Sequence, residues 1–435
     1  MDGPIWTPSP ARVAASNLTR YASHVRERHG APGGDYASLW RWSVDERETF
    51  WSSLLEFAEV IHTPGRAPVL RDRDRMPGAR WFEDMRLNYA ENLLARRGEV
   101  AALVFRDERG VRRELSRDQL RDEVARIAAG LRALGIGPGD RVAGFMPNLP
   151  ETVVAMLAAT SLGATWTSCS PDFGIAGVVD RFGQVAPRVL FTADGYGYGG
   201  KTIDSLASVR GVLERLSSVE RVVVVPHLSS TPDLGALRDS VDWREFGTAG
   251  AALEFIRVPF DSPLFVMYSS GTTGVPKCIV HGVGGTLLQH RKEHMLHGDV
   301  KPGDRLFFYT TCGWMMWNWL VSGLAGGATL VLYDGSPVAP DRDVLWRLAA
   351  EERVTHFGTP VVPDEYITNS GESNGTRTNS SGAPAAPNVR QSTASRSGPR
   401  LGVPERWGTT ITRSTDDSRS RTPRTAASES MVLPP

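Results

Sequence analysis

The stretch that decides the fold and the chemistry of this chain is Tyr268-Ser269-Ser270-Gly271-Thr272-Thr273-Gly274-Val275-Pro276-Lys277. It follows the short apolar run 264–267, which is typical of a buried strand that opens into a flexible loop. The glycines let backbone N–H groups turn toward an anion, the hydroxyl groups add donors, and Lys277 supplies a mobile positive charge. The stretch therefore predicts a triphosphate-binding loop.

This loop differs from a Walker loop, in which a Gly-Lys pair is followed by Ser or Thr. Here Pro276 precedes Lys277 and Cys278 follows it. From composition alone, a surface turn is the simpler interpretation of a loop rich in Ser, Thr and Gly. The complete order of the residues is what favours a nucleotide site.

Length, charge and cysteine content narrow the class of protein. The 435 residues suffice for two or three domains, and 49 basic residues balance 49 acidic ones. This balance gives no electrostatic argument for nucleic acid or membrane as a partner. The isolated cysteines Cys169, Cys278 and Cys312 argue against a disulfide framework or a cysteine-based zinc site, and they favour a reducing, cytoplasmic compartment. No signal peptide is expected, because residues 1–12 lack an apolar core beside basic residues.

Strands and helices alternate through the middle of the chain. The predicted strands are 101–106, 141–146, 164–169, 189–193, 221–225, 264–267, 306–309, 329–333 and 354–357. The predicted helices are 116–134, 150–162, 175–185, 203–216, 285–296, 316–324 and 344–352. Such alternation predicts an α/β fold with parallel sheets covered on both faces. Ligand sites in such folds lie at the carboxyl ends of strands, where the loop 268–277 would emerge.

One uncharged stretch, 306–333, is long enough to cross a bilayer. Glycines and an asparagine interrupt it, at Gly313, Asn318, Gly323 and Gly326. A buried helix followed by a strand is therefore favoured over a membrane span.

Four segments, residues 87–93, 169–174, 268–277 and 313–318, resemble the adenylate-forming enzymes of the acyl-CoA synthetase superfamily, and within it the acetoacetate–CoA ligases. The resemblance implies the large α/β domain of those enzymes, with layered βα sheets and without the C-terminal small domain. An N-terminal helical and loop extension would span residues 1–99, and a partial adenylate-forming domain would span residues 100–359. The implied activity joins acetoacetate to coenzyme A through an acyl-adenylate, with ATP, Mg²⁺ and coenzyme A as co-substrates.

The same resemblance implies roles for individual residues. The residues that would hold the ATP phosphates are Ser269, Ser270, Gly271, Thr272, Thr273, Gly274 and Lys277. Trp314, Met315 and Trp317 would close a small acyl pocket, although a core position is an equal alternative for Trp317. Gly199, Gly200 and Lys201 take the place of a loop that meets the phosphate of coenzyme A, but Tyr198 stands where related synthetases have an arginine.

The resemblance stops near residue 359. None of the later segments matches the family's Mg²⁺-binding Glu, ribose-binding Asp or adenylating lysine, and the last lysine is Lys301. We therefore expect no intact catalytic residue and no protein ligand to a metal, little or no activity of this polypeptide, and a truncated or frame-shifted gene. Residues 360–435 are of low complexity and are expected to be disordered.

Two other functions stay open. His290, Glu293 and His294 fit the His-x-x-Glu-His pattern of one class of zinc metalloproteases. No third ligand can be named, and these histidines are more simply placed on the solvent face of a charged helix. A non-catalytic protein that binds a nucleotide through the loop 268–277 is the other alternative.

Overall fold

The computed structural model describes residues 6–269 and 274–359, together with the short strand Arg390–Gln391. The α-helices are α1 (Pro10–Ala14), α2 (Asn17–His29), α3 (Tyr36–Asp45), α4 (Arg47–Phe57), α5 (Tyr89–Leu93), α6 (Arg117–Ala133), α7 (Pro150–Ser161), α8 (Ile175–Val185), α9 (Leu206–Leu213), α10 (Val283–Lys292), α11 (Met315–Ser322) and α12 (Val344–Glu351). A π-helix, Glu293–His297, continues α10, and a 3₁₀ helix, Gly323–Gly326, continues α11.

Most strands are short and belong to two large sheets. In chain order they are β1 (His62–Thr63), β2 (Leu70–Arg71), β3 (Arg80–Trp81), β4 (Arg86–Leu87), β5 (Ala101–Asp107), β6 (Arg112–Ser116), β7 (Arg141–Phe145), β8 (Thr165–Cys169), β9 (Val189–Ala193), β10 (Gly195–Tyr198), β11 (Lys201–Asp204), β12 (Arg221–Val225), β13 (Ser240–Asp242), β14 (Val258–Pro259), β15 (Pro263–Ser269), β16 (Lys277–Gly282), β17 (Arg305–Phe308), β18 (Thr329–Asp334), β19 (His356–Gly358) and β20 (Arg390–Gln391).

The two large sheets are almost entirely parallel. The order of the seven-stranded sheet is β13-β12-β9-β7-β8-β15-β16, in which only β16 runs antiparallel to its neighbour. The order of the six-stranded sheet is β20-β19-β17-β18-β5-β6, in which only β6 runs antiparallel. Parallel strands covered on both faces are nearly continuous in apolar character, as β9 and β12 are. The predicted fold class is confirmed.

Helices α6 and α7 join the two sheets in one core. Ser116 begins α6 with a capping box, since its Oγ accepts the Gln119 N–H at 3.2 Å and the Gln119 Oε1 accepts the Ser116 N–H at 2.8 Å. Every residue of α7 except Glu151 is buried, which explains why this helix lacks a polar face. The largest apolar cluster contains residues of both helices and of strands from both sheets.

Several regions differ from the sequence prediction, because a strand forms there by pairing with another strand. Residues 201–204 form an antiparallel hairpin with β10, so the helix predicted from 203 begins only at Leu206. Strand β16 was not predicted; it pairs antiparallel with β15. Strand β19, at the end of the predicted strand 354–357, pairs with β20, which was not predicted either.

The N-terminal helices pack on the main domain rather than apart from it. Asn17 of α2 donates its backbone N–H to Asp299 Oδ1 at 2.8 Å and its side-chain amide to the Val300 carbonyl at 3.1 Å. Leu296 of the π-helix belongs to the same apolar cluster as Tyr21. The domain boundary at residue 99 stays a prediction.

The uncharged stretch 306–333 folds as predicted, into a buried helix followed by a strand. None of the helices in the described part of the chain is long and apolar enough to cross a membrane. All three cysteines are unpaired. The predicted disorder of residues 360–435 concerns residues that lie outside the described ones, apart from β20.

Candidate functional site

A cleft of about 260 Å³ lies where strands of both large sheets end. Residues that follow β7 and β8 line it on one side, among them Asn148 and Asp172, and residues at the ends of β17 and β18 line it on the other, among them Thr310 and Asp334. The carboxyl ends of parallel strands are the usual ligand-binding edge of an α/β sheet. The cleft is therefore the first candidate for a binding site.

Asn148 connects the two sheets at this cleft. Its backbone N–H donates to Asp334 Oδ1 at 3.3 Å, and its side-chain amide donates to the carbonyls of Thr310 and Tyr333 at 3.5 and 3.3 Å. Its Oδ1 accepts the indole N–H of Trp317 at 2.8 Å. One asparagine thus fixes the ends of β7, β17 and β18 relative to one another.

Asp334 brings a titratable group into the cleft. Its Oδ2 is buried and has no hydrogen-bond partner among the residues that the structure describes. Burial, assisted by the negative charges of Asp107 and Glu108, raises the pKa of Asp334 to about 7. Its carboxyl group therefore exchanges a proton near neutral pH, which is a property of candidate functional residues.

The four tyrosines Tyr196, Tyr198, Tyr309 and Tyr333 also line the cleft. Burial raises the pKa of Tyr309 and of Tyr333 well above the ordinary value, so both phenols stay protonated. Aromatic rings with polar tips suit a ligand that has apolar and hydrogen-bonding parts.

Strands β15 and β16 hold the two ends of the predicted phosphate loop. Ser269 ends β15 and lies opposite Lys277, the first residue of β16. Because β15 is parallel to β8, the loop emerges at the same edge of the sheet as the cleft residues that follow β8. Ser270, Gly271, Thr272 and Thr273 lie outside the described residues.

The far end of this loop is anchored to α8. Gln184 donates its side-chain amide to the Pro276 carbonyl at 2.9 Å. Gly274 has a φ of 99°, a left-handed conformation that favours glycine. Lys277 is exposed and lines neither the cleft nor the smaller cavity described next.

A smaller cavity, of about 10 Å³, lies between the ends of β8 and β15 and the start of α11. Trp166, Ser168, Met267, Gly313 and Trp314 are among its lining residues. About one water molecule fits in such a volume. The predicted wall residue Trp314 does line it, with 63% of its surface exposed.

The other two residues predicted for the acyl pocket do not line this cavity. Met315 points to solvent with 43% of its surface exposed, and Trp317 is completely buried in the main core. Trp314 precedes α11 with extended backbone angles, whereas Trp317 lies in the first helical turn and faces the core. The structure therefore places Trp317 in the core, where it supports Asn148, and the acyl pocket stays a prediction.

Gly199 and Gly200 form the turn of the β10–β11 hairpin, with φ values of 60° and 76°. Their N–H groups donate to the two carboxylate oxygens of Glu108, each at 2.9 Å. Ser336 donates its backbone N–H to the same carboxylate at 2.9 Å. Donors that the resemblance assigns to a phosphate of coenzyme A are thus satisfied by Glu108 here, while Lys201 is exposed.

The predicted position of His290 and His294, on the solvent face of a helix, is wrong. His290 and His294 are buried, and burial lowers the pKa of His290 to about 3 and that of His294 well below its ordinary value. His290 Nδ1 lies 2.7 Å from Ser322 Oγ, and Glu293 accepts a hydrogen bond from Gln289 at 3.0 Å. Over residues 6–269 and 274–359, no third ligand joins these residues in a metal cluster, which removes the support for a metalloprotease.

Sequence reasoning missed Asn148, Asp334 and the tyrosines of the cleft. Asn148 closely follows the predicted strand 141–146, and Asp334 directly follows the predicted strand 329–333. The rule that ligand sites lie at strand carboxyl ends could have found both, had it been applied to every predicted strand.

Comparisons with known proteins agree with this architecture. The family model described as "AMP-binding enzyme" matches residues 90–410, and the model described as "Acetyl-coenzyme A synthetase N-terminus" matches residues 36–93. An acetoacetyl-coenzyme A synthetase of Rhizobium meliloti is 50% identical over 82% of this chain and 55% of the relative, and one of Mus musculus is 42% identical over 82% and 54%. The structure of an acetoacetyl-CoA synthetase from Streptomyces lividans matches with a TM-score of 0.79 at 47% identity, over 84% of this chain and 56% of that one.

The chain thus spans about half the length of the curated relatives it matches. The resemblance expected from its sequence segments is confirmed over that length, and so is the fold. One family model matches residues 90–410, which is most of the chain, and this match shows which family the chain belongs to. This chain belongs to the AMP-binding enzyme family.

Proposed function

We propose that this chain carries the nucleotide and acid sites of an acid–thiol ligase that activates acetoacetate with ATP and transfers it to coenzyme A. The observation that carries the proposal is the position of the loop that joins β15 to β16. It leaves the sheet at the carboxyl edge, where both large sheets end at one cleft. Family membership supports the same activity.

The proposed reaction has two steps. A carboxylate oxygen of acetoacetate attacks the α-phosphorus of ATP, and the bond to pyrophosphate breaks. The thiol of coenzyme A then loses its proton and attacks the acyl carbon, and the bond to AMP breaks. Mg²⁺ enters with ATP as part of the substrate and screens its phosphates.

The residues of the loop would act on the first step. Lys277 and the hydroxyl and N–H groups of Ser269 to Gly274 would hold the β- and γ-phosphates and stabilise the charge that develops on pyrophosphate. Lys277 is exposed and stands opposite Ser269 at the base of the loop, so its four-carbon side chain is free to turn toward a nucleotide.

The smaller cavity is the proposed acid site. Trp314 forms its exposed wall, and its lining is mostly apolar apart from Thr167, Ser168 and Asn318. The cavity is too small for acetoacetate as it stands, so the exposed Trp314 side chain must move outward when the acid binds. A short acyl chain is the acid that such a site would accept.

Replacing Lys277 by alanine is expected to weaken ATP binding about 10- to 100-fold, the equivalent of a lost hydrogen bond to a charged group. The affinity can be measured by calorimetric titration of the 435-residue polypeptide. Lys201→Ala is the matched control, because Lys201 is also an exposed lysine that begins a hairpin strand. Equal losses in the two variants would show that Lys277 has no special role.

Turnover distinguishes the ligase from a protein that only binds a nucleotide. For the 435-residue polypeptide we expect thermal protection by ATP, tight binding of a sulfamoyl analogue of acetoacetyl-AMP, and slow but detectable acetoacetate-dependent exchange of labelled pyrophosphate into ATP. The rate is expected to be low because no lysine follows Lys301 in this polypeptide.

Each outcome of this experiment decides something. Any exchange that depends on acetoacetate supports the ligase, and binding with no exchange at all favours the non-catalytic alternative. If neither ATP nor the analogue binds, both proposals fail.

Small-molecule substrates together with three unpaired cysteines support a cytoplasmic location and give no role to nucleic acid or membrane.

A further inference from the structure

Three side chains near the N-terminus converge on one point outside the cleft. His24 and His29 lie on α2, and Glu56 lies in the last turn of α4. His29 Nε2 is 3.4 Å from Glu56 Oε2, and His24 Nε2 is 4.0 Å from the same oxygen. Within the described part of the chain, these residues form the one group of three whose ligand atoms lie within 4.8 Å of one another.

Each of the two imidazoles has a nitrogen atom here that makes no hydrogen bond within the described residues. The Nε2 atoms of His24 and His29 are both buried, and neither has a hydrogen-bond partner among the described residues. Buried polar atoms without a partner are rare and costly, so each requires an explanation. A bound cation would satisfy both nitrogens at once.

The spacing of the atoms suits a small tetrahedral ion. Zinc takes histidine nitrogen and carboxylate oxygen at about 2.0–2.2 Å, which places neighbouring ligand atoms about 3.4 Å apart. The His29–Glu56 distance of 3.4 Å already has that value, and the His24–Glu56 distance of 4.0 Å is 0.6 Å longer. Two imidazoles with one carboxylate are a donor set that zinc accepts and that Mg²⁺ and Ca²⁺ avoid.

The surroundings also favour a cation. His29 is the last residue of α2 and Glu56 is the last but one of α4, so the negative ends of two helix dipoles meet here. The rings of Phe57 and Tyr21 lie 5.4 and 6.5 Å from the His24 ring and partly exclude water.

Arg28 fixes the remaining ligand. It pairs with Oε1 of Glu56 and leaves Oε2 facing the histidines. An outer partner of this kind orients a metal-binding carboxylate. We propose that His24, His29 and Glu56 bind one Zn²⁺ ion, with water in the fourth position, and that the ion fastens the end of α2 to the end of α4.

The test uses the 435-residue polypeptide, freed of its affinity tag and of metal, and titrates it with Zn²⁺ against a chromophoric chelator. We expect one equivalent to bind and to raise the midpoint of thermal unfolding. His29→Asn and Glu56→Gln are expected to weaken binding at least about tenfold, since loss of even an outer-shell partner costs that much. His297→Asn, at an exposed histidine outside the group, is the control and should bind as the wild type does.

Two results would overturn the proposal. One is a wild-type chain that binds no zinc; the other is binding that does not change in either ligand variant. The Glu56→Gln variant keeps the test decisive if His29→Asn does not fold, because Glu56 lies at the surface and the change preserves its shape. Substitution of Co²⁺ gives a second readout, since tetrahedral coordination produces visible absorption bands that Glu56→Gln should diminish.

Discussion

Replacing Trp317 by alanine is expected to lower the free energy of unfolding by about 3–5 kcal/mol, the usual cost of removing a large aromatic side chain from a core. Trp317 is completely buried, and its indole N–H donates to Asn148 Oδ1 at 2.8 Å. Asn148 in turn holds the ends of β17 and β18. The loss should therefore also loosen the cleft, which urea unfolding and ATP binding would measure separately.

Two variants divide this effect into its causes. Trp317→Phe keeps most of the apolar volume but leaves Asn148 Oδ1 without its donor, so a loss of about 1–3 kcal/mol is expected. Trp314→Ala is the matched control three residues earlier, and because that side chain is mostly exposed it should change stability by no more than about 0.5 kcal/mol. Similar losses for Trp314→Ala and Trp317→Ala would contradict the placement of the two tryptophans.

Replacing Asp334 by asparagine is expected to remove a pH dependence of stability. The pKa of Asp334 is raised from 3.8 to about 7, chiefly by burial. A carboxyl group whose folded-state pKa is raised contributes stability fully below its unfolded-state pKa, and this contribution is lost as the pH rises to the folded-state value. Between pH 5 and pH 8 the free energy of unfolding of the wild type should therefore fall by about 2–3 kcal/mol more than that of Asp334→Asn does.

Urea unfolding of both proteins across this range checks the prediction. Asp172→Asn is the control, because Asp172 is an exposed carboxylate that lines the same cleft. It should keep the pH dependence of the wild type. If the free energies of unfolding of the wild type and Asp334→Asn depend on pH in the same way, the prediction is wrong. The carboxyl group of Asp334 would then be hydrated well enough in the cleft to keep an ordinary pKa.

The local pattern of the chain was sufficient for most of the regular elements. Helix α8 and strands β9 and β12 have the predicted bounds, and α6 begins directly after the capping residue Ser116. Such elements are readable because their periodicity, caps and glycine stops act within a few neighbouring residues. The parallel α/β class and the loop at a strand end follow from the same alternation.

Elements that form only by packing or pairing with another element were not predicted from the local pattern. Strand β11 takes the place of a predicted helical turn, and β16 was missed, because each forms by pairing with a strand before it. His290 and His294 were expected to face solvent because charged neighbours surround them, yet both are buried against other elements. A preference of about 1 kcal/mol or less per residue is easily overridden by burial.

By itself, the sequence determined the α/β architecture, the position of the Ser269 to Lys277 loop after a buried strand, and the family likeness. Only the tertiary structure decided that Asn148 and Asp334 meet across two sheets, that Trp317 supports them from the core, and that His24, His29 and Glu56 share one point. The physical reason is the distance along the chain over which each interaction acts. Hydrophobic period and capping act between near neighbours, whereas the burial of a carboxylate or the meeting of two helix ends depends on residues far apart in the chain.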